Sequence, residues 1–169
     1  LHHAERVAEG GNEAVAQQEI AALGRFAGEK LADDRPRLFH LRPQAALHYF
    51  EELCAIPHGS RDTKRISDYC VRFAQAHGLK YVQDAHNNVV IYKDGTPGYE
   101  DHPTVILQGH LDMVCEKDPG CDIDFSTDGL RLRQDGTYLF AEGTTLGGDD
   151  GIAVAYTLAV LDSDEIAHP

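Results

Sequence analysis

The sequence predicts an α/β domain in which helices pack in layers on a mixed β-sheet. Three observations carry that expectation. Helix-like and strand-like stretches alternate from Leu41 onward, with no repeats and no low-complexity blocks. The strand-like runs are short and rich in β-branched residues. A histidine and a glycine-rich acidic loop fall at the ends of apolar runs, where open α/β sheets place their sites.

Taken in order, residues 1–40 are rich in Ala, Glu and Gln and are interrupted by Gly10-Gly11, Gly24 and Gly28. Val15, Ile20, Leu23, Phe26 and Leu31 make only an imperfect helical stripe, so this stretch is an unassigned leader, helical or disordered. The domain proper spans 41–169. Pro43 suits a first helical turn, and Leu47, Phe50 and Cys54 recur on one helical face until Ile56-Pro57 ends the run. Ser60 is a candidate cap for a second helix with Ile66, Cys70 and Phe73 inward, stopped by Gly78. His58 and His77 sit at these helix ends and read as structural or solvated.

Tyr81-Val82 and Val89 to Tyr92 read as strands around the turn-prone Asn87-Asn88, and Asp94 to Gly98 as a loop. Thr104 to Leu107 is an apolar, β-branched run expected as a buried strand. Leu130 to Arg133 alternates, Asp135-Gly136 signals a two-residue hairpin turn, and Thr137 to Phe140 returns. Ile152 to Leu161 is apolar nearly all round, as a helix packed on a central sheet should be.

Composition sets the bounds. A chain of 169 residues with 42% hydrophobic content can bury a sizeable core. Fifteen basic against 28 acidic side chains give a formal charge of -13, which argues against nucleic acid and anionic membrane as partners. No run of about 18 apolar residues exists to cross a bilayer, and no charged-then-apolar leader opens the chain. Cys54, Cys70, Cys115 and Cys121 lack the Cys-x-x-Cys spacing of a zinc site and are expected as reduced thiols in a cytoplasmic protein. The single methionine is Met113, so a fragment or processed chain is expected rather than an alternative start at Leu1.

Two stretches carry the chemistry. His110 and Asp112 follow the apolar run, and an imidazole beside a carboxylate is a familiar way to hold a zinc ligand in one tautomer. Alone, a His-x-Asp triplet recurs by chance. Gly143-Thr144-Thr145-Leu146-Gly147-Gly148-Asp149-Asp150-Gly151 is a glycine-rich loop ending in two acids at a helix entrance. Read locally, those acids suit a helix N-cap. Read with His110, they suggest a metal site assembled from two loops.

Together, His110-Leu111-Asp112-Met113-Val114 and the Gly143 to Gly151 loop resemble the M20 metallopeptidases, most nearly the aminoacyl-histidine (Xaa-His, carnosine-splitting) dipeptidase branch. The likeness runs from about Leu41 to Pro169 and includes Cys54 to His58 and Leu161 to Asp164. It implies an incomplete zinc-peptidase catalytic domain, the front part only. It implies a site for two zinc ions, with His110 binding one, Asp149 bridging both and Asp112 orienting the histidine. Asp150 is the lesser candidate for the bridge, and the Asp149-Asp150 peptide bond is expected to be cis in the metal-bound enzyme.

The resemblance also implies dipeptide hydrolysis by a metal-activated water, with a general base in a Glu-Glu pair further along the chain. Asp164-Glu165 does not match that motif's surroundings. The remaining ligands and a smaller domain for dimerisation and substrate contacts are likewise expected beyond this stretch, leaving a homodimer of the complete protein open and this chain inactive by itself. Two other readings stand beside it: another two-zinc hydrolase, such as an aminopeptidase or N-acyl amino acid amidohydrolase, and a non-catalytic binding module.

Overall fold

The computed structural model describes Glu5, Arg6 and residues 43–169. The imperfect helical stripe expected from Val15 to Leu31 lies outside the described residues. The elements in chain order are β1 (Glu5–Arg6), α1 (Gln44–Cys54), α2 (Lys64–Ala76), β2 (Lys80–Gln83), β3 (Val89–Tyr92), β4 (Leu132–Asp135), β5 (Tyr138–Ala141) and α3 (Gly148–Asp162).

Helix α1 begins one residue after Pro43, which is extended rather than helical, and buries Leu47, Phe50 and Cys54 as the periodicity predicts. Helix α2 buries Ile66, Cys70 and Phe73. It ends in a Schellman motif. Gly78, at φ 66°, donates to the Gln75 carbonyl and Leu79 donates to the Ala74 carbonyl, satisfying two oxygens that the helix leaves unpaired. The start of α2 departs from expectation: Thr63, not Ser60, is the residue before the first turn. Residues 59–62 form a separate tight turn closed by the Asp62 amide on the Gly59 carbonyl. The Ser60 hydroxyl goes elsewhere.

Strands β2 and β3 pair antiparallel, with Tyr81 opposite Ile91. The second sheet has the order β1-β5-β4 and is antiparallel throughout. Its β4–β5 turn is Gly136-Thr137, one residue later than the Asp135-Gly136 signal, because Asp135 remains in register opposite Tyr138. Mixed α/β content is therefore present, but the single mixed sheet is not: the described strands make two small antiparallel sheets. Thr104 to Leu107 is the clearest difference. It joins no ladder, and Val105, Ile106 and Leu107 are 63%, 85% and 50% exposed. An apolar run is buried as a strand only where neighbours pair with and cover it, and no described segment does either.

Helix α3 also packs differently from the expectation. Its main neighbour is α1 rather than a sheet, and Phe50 lies so close to Gly151 that a Cβ there would meet the ring at 3.2 Å. Tyr156 is exposed, so only part of this apolar helix is covered. Among the described residues, no helix is long and apolar enough to cross a membrane. The core runs through Leu47, Phe50, Leu53, Leu130, Leu146 and Leu158, tying both helices to the β4–β5 sheet. None of the four cysteines forms a disulfide; Cys54 and Cys70 are buried, and burial pushes the Cys70 thiol up to about 12, which keeps it protonated and inert.

Lys93, after β3, reaches the carboxyl end of α3 and donates to the carbonyls of Leu161 (3.0 Å) and Val160 (3.5 Å), and to that of Ser163. A cation among unpaired helix carbonyls complements the negative end of the dipole. Lys93→Met should therefore lower stability by about 1 kcal/mol. The urea midpoint would fall with an unchanged slope; an unmoved midpoint would show that the contact is solvated away.

Candidate functional site

Three loops meet at the site, and backbone hydrogen bonds fix their relation. Residues 56–60 lie beside the His110 loop, where Met113 donates to the His58 carbonyl and Ser60 donates to the Met113 carbonyl, both at 3.1 Å. The glycine-rich loop lies on the other side. The Thr145 amide donates to the Glu116 carbonyl, and the Thr145 hydroxyl donates to the Val114 carbonyl at 2.7 Å. Asp118 donates to the Gly143 carbonyl. Two segments about thirty residues apart in sequence are thus zipped together before any ligand is considered.

Two glycines are required by this arrangement. Gly147, at φ 71°, adopts the left-handed conformation, and a Cβ there would press on the Met113 sulfur at 3.0 Å. A Cβ at Gly109 would meet the Asp150 Oδ2 at 2.7 Å. That oxygen accepts from the His110 backbone amide at 3.2 Å, so Asp150 reaches back across Gly109 to hold the histidine's main chain.

His110 and Asp149 come together. The imidazole Nε2 is 3.2 Å from Asp149 Oδ1, and the ring's other nitrogen, Nδ1, is 2.9 Å from the Asp112 carbonyl and 3.4 Å from its carboxylate. A carbonyl oxygen can only accept, so Nδ1 carries the hydrogen. Nε2 then faces a carboxylate, an arrangement that is favourable only when Nε2 holds a proton or a cation stands between them. Partial burial opposes the protonated ring, but Asp149 and the Asp112 carbonyl and carboxylate outweigh it, so the His110 pKa is raised. Asp112 is lowered, chiefly because the Ser60 hydroxyl donates to it and also because His110 is near, which outweigh its slight burial.

The two acids of the loop are now distinguishable. Asp150 is committed to the His110 amide, whereas the Asp149 side chain is 91% exposed and free to turn toward a ligand. The Asp149-Asp150 bond is cis, as the resemblance implies, and neither residue has helical dihedrals although both lie within the span of α3. The simple N-cap reading therefore does not describe them: no side chain caps this helix, and Gly147 precedes it.

An imidazole nitrogen and a carboxylate oxygen at this spacing are donors of the kind zinc takes. They are two, and among the described residues no group of three or more His, Cys, Asp or Glu gathers to hold a metal ion. The other histidines at helix ends are structural. His58 is buried, its Nδ1 on the Ile56 carbonyl, and burial lowers its pKa despite that bond and Asp112. His77 stacks on Phe73 at 4.3 Å and contacts Asp162. Sequence reasoning missed Ser60, Thr145 and the backbone role of Asp150. Each acts across at least 29 positions, and no local pattern marks such a contact.

An exposed His–Asp pair is held by paired loops on an α/β scaffold, and comparison with known proteins gives that scaffold relatives. No protein-family model matches the chain. The cytosol non-specific dipeptidase of Escherichia coli (strain K12) is 38% identical over 131 residues, 78% of this chain and 27% of that protein. The crystal structure of aminoacylhistidine dipeptidase from Vibrio alginolyticus matches with a TM-score of 0.76 and 40% identity, over 79% of this chain and 27% of that one. Over the matched stretch, this chain is a homologue of these two dipeptidases. It spans about a quarter of the length of either relative.

Proposed function

We propose that this chain is the part of a cytoplasmic zinc-dependent dipeptidase that supplies the first metal ligands, with Xaa-His dipeptides as substrates. The observation that carries the reading is His110 Nε2 facing Asp149 Oδ1 at 3.2 Å while Nδ1 is held by Asp112. That leaves Nε2 as the nitrogen available to a metal and Asp149 as the carboxylate beside it. Asp112 orients the ring, and Asp150 fixes the main chain beneath it. The relatives' names support the activity and the compartment: one is a cytosol non-specific dipeptidase and the other an aminoacylhistidine dipeptidase, and the Xaa-His preference follows the second.

Two donors fit half of a zinc centre, since each ion usually takes four ligands. The rest of the relatives' length would supply the others, the general base and the dimer contacts, and would cover Thr104 to Leu107 as an inner strand. Bound zinc would polarise the scissile carbonyl and lower the pKa of a bound water. The part left to this chain's own residues is narrower. His110 and Asp149 would hold the metal, while Asp112 and Asp150 keep the ring and its main chain in place.

The test uses the 169-residue chain and an extended form of the relatives' full length, both loaded with zinc. The extended form should release histidine from Ala-His and β-Ala-His and leave N-acyl amino acids intact. The short chain should bind zinc weakly and show no turnover, because two donors leave each ion short of its usual four ligands. Comparable turnover by the short chain would place the base within it. Preference for N-acyl amino acids would overturn the dipeptidase assignment.

A further inference from the structure

The loop of residues 56–60 supplies no metal ligand, yet it touches the site at one atom. Ser60 lies far from His110 in sequence, and its hydroxyl oxygen is 2.6 Å from Asp112 Oδ2. The same oxygen is 3.4 Å from the Met113 carbonyl. A hydroxyl has one hydrogen, and the shorter contact to an ionised acceptor takes it. The serine itself is pinned by three features. Its amide donates to the Met113 carbonyl, Gly59 bridges to Met113, and Asp62 closes the turn onto Gly59. The loop also lies against Cys115, whose sulfur would be 2.8 Å from a Cβ at Gly59.

We infer that Ser60 is a positioning residue: by holding Asp112 Oδ2 it turns Oδ1 toward His110 Nδ1 and so keeps Nε2 the open nitrogen. The chain of contacts is short. Ser60 fixes one oxygen of the carboxylate, the other oxygen faces the ring at 3.4 Å, and the ring's far nitrogen faces Asp149. A carboxylate free to rotate would leave Nδ1 with the Asp112 carbonyl alone. The effect on the ring stands without any metal; only the metal arm of the test below rests on the zinc reading.

The experiment is imidazole ¹⁵N NMR on the 169-residue chain above the titration of its histidines, with His110→Ala to assign the signal. In an Asp149→Ala background, which removes the carboxylate competing for the hydrogen at Nε2, His110 should carry its hydrogen on Nδ1. Ser60→Ala should shift the population toward hydrogen on Nε2, the form a free imidazole prefers, and Ser60→Thr should restore it. Asp112→Ala should produce the same shift, and the double variant should add nothing, as residues acting in one network do. In a cobalt(II) titration, Ser60→Ala should weaken binding roughly tenfold, the low end for a group behind a ligand.

A His110 tautomer unchanged in Ser60→Ala would overturn the inference, as would loss of the Nδ1 hydrogen in the Thr variant as well as the Ala one. If the tautomer responds as stated while wild type and His110→Ala bind cobalt equally poorly, Ser60 keeps its role and the zinc reading fails. Thermal melts separate these outcomes from unfolding, since Ser60 is exposed and its truncation removes no core contact.

Discussion

Replacing His110 with alanine should abolish zinc-dependent hydrolysis by the extended enzyme, a loss of roughly a thousandfold or more, as several kcal/mol of metal stabilisation disappear from the barrier. The fold should survive. The His110 side chain is half exposed and belongs to no core cluster, so its removal changes chemistry and not packing. The measurement is turnover alongside bound zinc and melting temperature. Lost zinc and lost turnover at an unchanged melting temperature fit the site described. Full activity in the variant would mean that the His–Asp pair is not the metal site. Asp112→Ala should be milder, because the ligand remains and only its orientation loosens.

Phe50→Ala should have the largest effect on stability, about 3–5 kcal/mol, the range for emptying a buried aromatic position. Phe50 is 2% exposed, and its ring fills the contact between α1 and α3, against Gly151. Gly151 directly follows the Asp149-Asp150 pair, so the cavity would open beneath the candidate ligand. Urea unfolding should show the loss, and zinc affinity should fall with it. Phe50→Leu, which keeps much of the volume, should recover most of the stability. A loss below about 1 kcal/mol would show that the two helices close around the vacancy.

What the sequence disclosed and what it hid divide along contact distance. Strand β3 was legible to the residue, because Val89 to Tyr92 is β-branched or aromatic throughout and begins after a turn-prone pair. The inward faces of α1 and α2 followed from spacing alone. His110, Asp112 and Asp149 were selected as one group by family likeness, and the structure gathers them within hydrogen-bonding reach. Ser60 was misplaced as a cap because serine near a helix start usually is one; nothing local reveals that its partner is Asp112. Thr104 to Leu107 was misjudged for a related reason. Its composition favours burial, but burial depends on what else is present to cover it.

That uncovered run changes how the chain behaves among copies of itself. Val105, Ile106 and Leu107 present apolar side chains next to backbone groups that pair with no described strand, and Val82, Val90 and Tyr92 are also exposed. Exposed apolar residues beside unpaired backbone favour edge-to-edge association. A formal charge of -13 opposes such association. Repulsion of that kind reaches only about 8 Å at physiological ionic strength and contracts further as salt is added. Self-association of the 169-residue chain should therefore rise with added salt, as light scattering across a salt series would show.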